Sequence, residues 1–112
     1  MTGSDGMLRL KLASRFWQRL VGLLPYDDNW PFEGLWLVPC WSVHTFGLRR
    51  PIDLVFLDRK LAIVKVQHSV LPWRLALCWR AYSVIELPAG YLQRNPNYKQ
   101  AIRQAVGFFA LV

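Results

Sequence analysis

Leu8, Leu10 and Leu12 alternate with Arg9 and Lys11, the period-two pattern of a strand with one buried face. The period then changes. Over residues 15–24, Trp17, Leu20, Val21 and Leu24 share one helical stripe, and Arg15, Gln18, Arg19 and Gly22 share another. Ser14 suits the cap of this helix, and Pro25 suits its stop. Residues 26–32, with Asp27, Asp28, Asn29 and Pro31, read as a polar loop.

Further on the pattern is dominated by short apolar runs. Residues 35–38 form one strand, ended by Pro39, and residues 42–46 a second extended stretch before a turn over 47–51. Residues 54–57 and 61–68 make a hairpin through 58–60. In its second arm Ala62, Val64 and Val66 are expected on one face, opposite Leu61, Ile63 and Lys65. Residues 71–80 are a Trp-rich excursion with Pro72, Trp73 and Trp79, and 82–87 a strand stopped at Pro88-Ala89-Gly90. Asn95 and Pro96 open a last helix with Tyr98, Ala101, Ile102 and Ala105 on its buried stripe. Gly107 should end it, leaving residues 108–112 for a final strand.

Short strands outnumber helices, and no regular βαβ alternation appears. The fold class is therefore mainly β (α+β): a small antiparallel β-barrel or half-barrel with about two short helices packed outside. At 112 residues there is room for one core, so residues 8–112 read as a single domain behind a flexible leader, 1–7.

Composition sharpens this picture in two ways. A hydrophobic content of 54%, with 14% aromatic residues, excludes a disordered chain. The six Trp supply large areas to bury, and since most aromatics sit in apolar runs they are expected in the core. Charge is uneven: the formal net charge is +7, and Glu86 is the only carboxylate after Asp58. Such a surface attracts polyanions weakly, non-specifically and with strong salt dependence. The apolar stretch 30–48 is interrupted by Pro31, Glu33, Pro39 and His44, so no transmembrane segment is expected. The N-terminus lacks the order of a secretory signal, and the expected location is the cytoplasm. Cys40 and Cys78 are too few for a disulfide scaffold and lack CxxC spacing, so reduced thiols and no metal site are expected.

Candidate chemistry is sparse. Cys40 and His44 suggest a thiol–imidazole pair, but four extended residues span roughly 13 Å, and a small buried thiol is the simpler account. Arg49 and Asp53 flank Pro51 and are expected to form an ion pair that organises the turn. Glu86 either pairs with an Arg across the sheet or forms an acid–base couple with Asp53. There is no Gly-rich phosphate loop, no GxSxG elbow and no zinc-protease helix, and no cofactor is implied.

One set of residues is distinctive as a whole. Glu33-Gly34-Leu35-Trp36-Leu37 leads through Cys40 to Ser42-Val43-His44-Thr45-Phe46-Gly47-Leu48-Arg49. Pro51-Ile52-Asp53-Leu54-Val55-Phe56-Leu57-Asp58 follows, and then Glu86-Leu87-Pro88-Ala89-Gly90. With Arg19-Leu20-Val21-Gly22-Leu23-Leu24 upstream, this closely resembles the bacterial family known as domain of unknown function 192. The resemblance implies a β-barrel-like domain with short outer helices and supplies no activity.

The chain therefore reads as a small soluble binding domain rather than an enzyme. Its expected pocket for a small molecule is lined by His44, Thr45, Arg49 and Asp53, with Arg19 and Glu86. One alternative is an enzyme using Asp53, Glu86 and His44 for acid–base chemistry. Another is a basic surface module that binds nucleic acid or anionic lipid. Its signature would be a positive face flanked by exposed Trp.

Overall fold

A computed structural model describes residues 8–14 and 33–110. These form strands β1 (Leu10–Ser14), β2 (Gly34–Val38), β3 (Ser42–His44), β4 (Ile52–Leu57), β5 (Ile63–Val70), β6 (Leu75–Leu77) and β7 (Ser83–Pro88). Two helices follow, α1 (Tyr91–Arg94) and α2 (Tyr98–Ala110). The class is mainly β, as expected. The helix expected over residues 15–24, with Arg19, the loop 26–32 and the leader 1–7 lie outside the described residues.

Five strands form one sheet in the order β1-β2-β7-β4-β5. Its centre follows from composition: every residue of β4 is buried, as expected for a near-continuous apolar run covered on both faces. β7 lies between β2 and β4, antiparallel to each, and β4 and β5 form the expected hairpin. The β1–β2 pair is parallel, the one departure from antiparallel pairing among the described strands. Nor do these strands close into a barrel: β3 and β6 pair only with each other, as a separate two-stranded sheet.

The main sheet carries a core on each face. On one side Leu37, Ile52, Leu54, Phe56 and Val84 pack with Val43 and Ala76 of the β3–β6 sheet. On the other, Val55, Leu57, Ile85 and Leu87 pack with Tyr91, Leu92, Ile102, Ala105 and Val106 of the helices. The described chain thus makes three layers, with the small sheet, the large sheet and the helices in that order.

Three local expectations need correction. The ladder between β4 and β5 shifts register, with Leu57 opposite Ile63 but Phe56 opposite Lys65, so Val64 is an extra residue. Val64 therefore packs on the small-sheet side while Val66 packs on the helix side, and they do not share a face. Helix α2 continues through Gly107 to Ala110, so no strand begins at 108. One glycine costs a helix only about 1 kcal/mol, and the stripe of Ile102, Ala105 and Val106 outweighs it. Finally, the Trp-rich excursion contains β6, a Leu-Ala-Leu alternation too short to stand out from irregular chain.

Candidate functional site

The described residues expected to share a pocket are not brought together: His44 lies in the small sheet, Thr45 and Arg49 in the loop after it, and Asp53 and Glu86 in the large sheet. Asp53 is fully buried and faces the helices, since its cross-strand partner Leu87 belongs to that core. Its Oδ1 accepts from the Ser69 N–H at 2.8 Å, and its Oδ2 accepts from the Leu92 N–H at 3.0 Å. Both donors need it. Ser69 sits in a second irregularity of β5 with φ of 50°, where the ladder leaves its N–H unpaired. Leu92 is in the first turn of α1, where N–H groups lack helical partners, and the preceding Gly90 contributes no side-chain cap. With φ of 91°, Gly90 adopts the left-handed conformation that opens the helix. Arg49 is exposed, so the expected Arg49–Asp53 pair is replaced by main-chain donors. The reason is burial: two aligned N–H groups satisfy the carboxylate without bringing a guanidinium into the core.

Glu86 is buried on the opposite face. It lies across from Leu35 of β2 and Leu54 of β4, both in the core beneath the small sheet. Neither carboxyl oxygen has a hydrogen-bond partner. Burial pushes its pKa up to about 8, so at neutral pH the side chain is an uncharged acid. The Arg partner expected across the sheet is not among the described residues around it. Asp53 and Glu86, on opposite faces of one sheet, are not brought together as an acid–base couple.

Thr45 is buried and serves the loop that follows β5. Its Oγ1 accepts from the Arg74 N–H at 2.7 Å and donates to the Leu71 carbonyl at 2.7 Å. Main-chain bonds reinforce the clamp, from the Thr45 N–H to the Arg74 carbonyl and from the Trp73 N–H to the Thr45 carbonyl. Trp73 is held at φ of 63°, a conformation costing a non-glycine residue on the order of 1–2 kcal/mol. Its side chain is 68% exposed. Phe46 stacks on it with ring centroids 5.6 Å apart, and His44 lies 5.0 Å from Phe46. Gly47, with φ of 86°, turns the chain immediately after Phe46. His44 is exposed at the start of this row of rings, while Cys40 is buried and its thiol donates to the Ser42 carbonyl.

The β3–β6 sheet explains why these rings face outward. Ser42 pairs with Leu77, Val43 with Ala76 and His44 with Leu75. Val43 and Ala76 point into the core, so the alternation turns Leu75 and Leu77 outward with His44. Trp41 is half exposed at the far end, and Trp79 beyond β6 is 83% exposed. The expectation that the aromatics are mostly core is therefore wrong for Trp41, Phe46, Trp73 and Trp79. A two-stranded sheet has only one face to bury. Sequence reasoning missed Leu75 and Leu77, although their spacing around Ala76 carried the signal.

Among the described residues, the exposed charge is of one sign. Every described Lys and Arg is exposed, including Arg74 beside Trp73 and Arg80 beside Trp79. None of the described carboxylates is exposed. Lys65 donates to the Leu77 carbonyl and so holds a cation at the rim. Among the described residues no cluster of three His, Cys, Asp or Glu could hold a metal ion, and no helix is long and apolar enough to cross a membrane.

Comparison with known proteins gives the fold a context. A protein of unknown function from Novosphingobium aromaticivorans DSM 12444 superposes with a TM-score of 0.63 at 17% identity, covering 78% of this chain and 67% of that one. A "putative transcription regulator" from Sinorhizobium meliloti 1021 superposes with a TM-score of 0.64 at 21% identity, covering 80% of this chain and 74% of the other. At such identities the likeness concerns the fold. No curated protein matches the sequence. The family match is direct: over residues 1–96 the chain belongs to DUF192, the domain of unknown function 192 family, described as an uncharacterized ACR.

Proposed function

We propose that this domain is a non-enzymatic interaction module that docks an anionic partner on the outer face of the β3–β6 sheet. The observation that carries the reading is the concentration of exposed apolar side chains. Apart from Leu12, the large exposed hydrophobics among the described residues all come from β3, β6 and the segments flanking them. A monomeric protein rarely leaves a contiguous apolar surface without a use for it. The surrounding cations favour an anionic partner.

A small-molecule pocket or an acid–base site has less support. His44 and Arg49 are at the surface, Thr45 and Asp53 spend their polar atoms on the scaffold, and Glu86 faces away from Asp53. A cytoplasmic setting suits Cys40 and Cys78, which form no disulfide. One structural neighbour's description as a transcription regulator would fit a nucleic-acid partner, so both classes of anion belong in the test.

The test compares the wild-type protein with Leu75→Asp for binding to oligo-dT and to vesicles containing phosphatidylglycerol. Leu75 is already 63% exposed, so the variant should keep its unfolding midpoint. Binding of at least one partner, lost in Leu75→Asp, is the expected result. Binding of neither, or binding indifferent to Leu75→Asp, overturns the proposal.

A further inference from the structure

We infer that the partner of this face is an anionic phospholipid bilayer, into whose headgroup region Trp73 and its neighbours insert; the inference rests on the docking face proposed above. Three observations distinguish this from a polynucleotide.

The first is the chemistry of the outward side chains. Leu75 stands opposite His44, whose ring meets Phe46 and through it Trp73, and Leu77 is turned outward on the same side as Leu75. Branched aliphatic groups offer no flat face for a base to stack on, whereas they gain from an acyl boundary as readily as from a protein core. Trp is favoured at that depth because its ring is apolar and its N–H polar.

The second is the state of the rings. Single-stranded nucleic acids bind by sliding bases against separated, open aromatic faces. Here His44, Phe46 and Trp73 are already packed on one another, at 5.0 and 5.6 Å between centroids and with interplanar angles of 30° and 26°. The facing surfaces of Phe46 and Trp73 are thus already taken by each other. The Thr45 clamp ties the backbone beneath the row in its folded form. A pre-shaped wedge loses little conformational entropy on insertion.

The third is the placement of charge. Arg74 and Arg80 each follow an exposed Trp directly in sequence, and Lys65 sits at the rim with its ammonium on the Leu77 carbonyl. The cations border the apolar surface rather than forming a track through it. That arrangement matches a membrane surface, where the apolar part enters and the cations remain among the phosphates. No exposed carboxylate among the described residues opposes the approach.

The experiment uses vesicles of phosphatidylglycerol and phosphatidylcholine in equal parts, vesicles of phosphatidylcholine alone, and oligo-dT, each with the full chain. Co-sedimentation should show binding to the anionic vesicles and little to the neutral ones. Lipids brominated near the carbonyl end of their chains should quench the tryptophan fluorescence on binding, and Trp73→Phe should reduce that quenching. Trp73→Ala should weaken vesicle binding about tenfold, the value of one buried large apolar side chain. Arg74→Ala should weaken it about fivefold, and Arg103→Ala on the exposed side of α2 less than about twofold. Absence of vesicle binding overturns the inference. So does binding without quenching, or an Arg103→Ala effect as large as that of Arg74→Ala. If oligo-dT is bound and Leu75→Asp abolishes that binding while vesicles are ignored, the bilayer inference falls and the docking face stands. If neither is bound, both fall.

Discussion

Asp53 on β4 and Glu86 on the adjacent β7 are both buried, one beneath the helices and one beneath the small sheet. Their surroundings differ in one respect. On the helix side the backbone departs from regular pairing twice, at the bulge near Ser69 and at the start of α1, and Asp53 accepts one N–H from each. On the small-sheet side the ladders run regularly past Glu86, the neighbouring N–H groups are spent on strand partners, and the carboxyl has none. A buried carboxyl group must find hydrogen-bond partners, and here only the irregular backbone supplies spare donors. Irregular backbone is the resource that makes Asp53 a tie, and regular backbone is what leaves Glu86 a neutral acid.

The largest test of this contrast is Asp53→Ala, which strands the buried Leu92 N–H and the partly buried Ser69 N–H and should cost about 2–4 kcal/mol in urea unfolding. Asp53→Asn should recover only part of that, because its amide N–H₂ would meet one of the donors. A loss below about 1 kcal/mol for Asp53→Ala would end the account of Asp53 as a structural tie.

Glu86 should show itself in the pH dependence of stability. Its folded pKa, about 8, lies above its ordinary value of 4.5, so between those values the native state holds a proton that the unfolded chain releases. Stability should therefore be greatest below pH 4.5 as far as this group is concerned, fall as pH rises, and level off above about 8. The loss should be on the order of 3–5 kcal/mol. Glu86→Gln should flatten this slope, and an unchanged slope would show that the carboxyl finds water or a donor.

Smaller effects sharpen the comparison at the surface. Thr45→Val keeps the shape but leaves the Arg74 N–H without its acceptor, so about 1–2 kcal/mol should be lost. Amide exchange at Trp73 and Arg74 should accelerate in that variant before the rest of the sheet responds. Arg49→Ala should change stability by less than about 0.5 kcal/mol, since Asp53 takes its donors from the main chain. A loss of several kcal/mol there would restore the ion pair expected from sequence.

What could be read from the residues followed periodicity closely. β4, β5, β7 and the buried stripe of α2 lie where apolar spacing put them, because each has a face large enough to dominate its local pattern. The parallel β1–β2 pairing was not legible, since strand direction leaves no trace in a period-two pattern. The face of Val64 was lost to one inserted residue, which inverts alternation without changing composition. For the candidate site, sequence pointed to Thr45 and Asp53 but not to their partners. A carboxylate reads as seeking a cation when its main-chain donors, at Ser69 and Leu92, are distant in sequence. Leu75 and Leu77 escaped notice because exposure of a leucine depends on which layer its strand joins.

The small sheet has a further property that follows from its position in the chain. Its strands, β3 and β6, lie on either side of the β4–β5 hairpin in sequence, and Thr45 and Arg74 are 29 positions apart. Closing a loop of that length in an open chain is entropically costly. Once Ile52 has met Val70, only short connectors separate Thr45 from Arg74, and the hairpin has lowered that cost by about 1 kcal/mol. This difference favours an order in which the hairpin forms first and the small sheet with its exposed rings assembles on it. In the native protein the same nesting runs in reverse. Opening the small sheet leaves the hairpin's own pairing intact, whereas opening the hairpin lengthens the loop that the small sheet closes. The face that carries Trp73 is thus the part of the two-sheet assembly whose local opening is cheapest, and its amides should exchange ahead of those of β4 and β7.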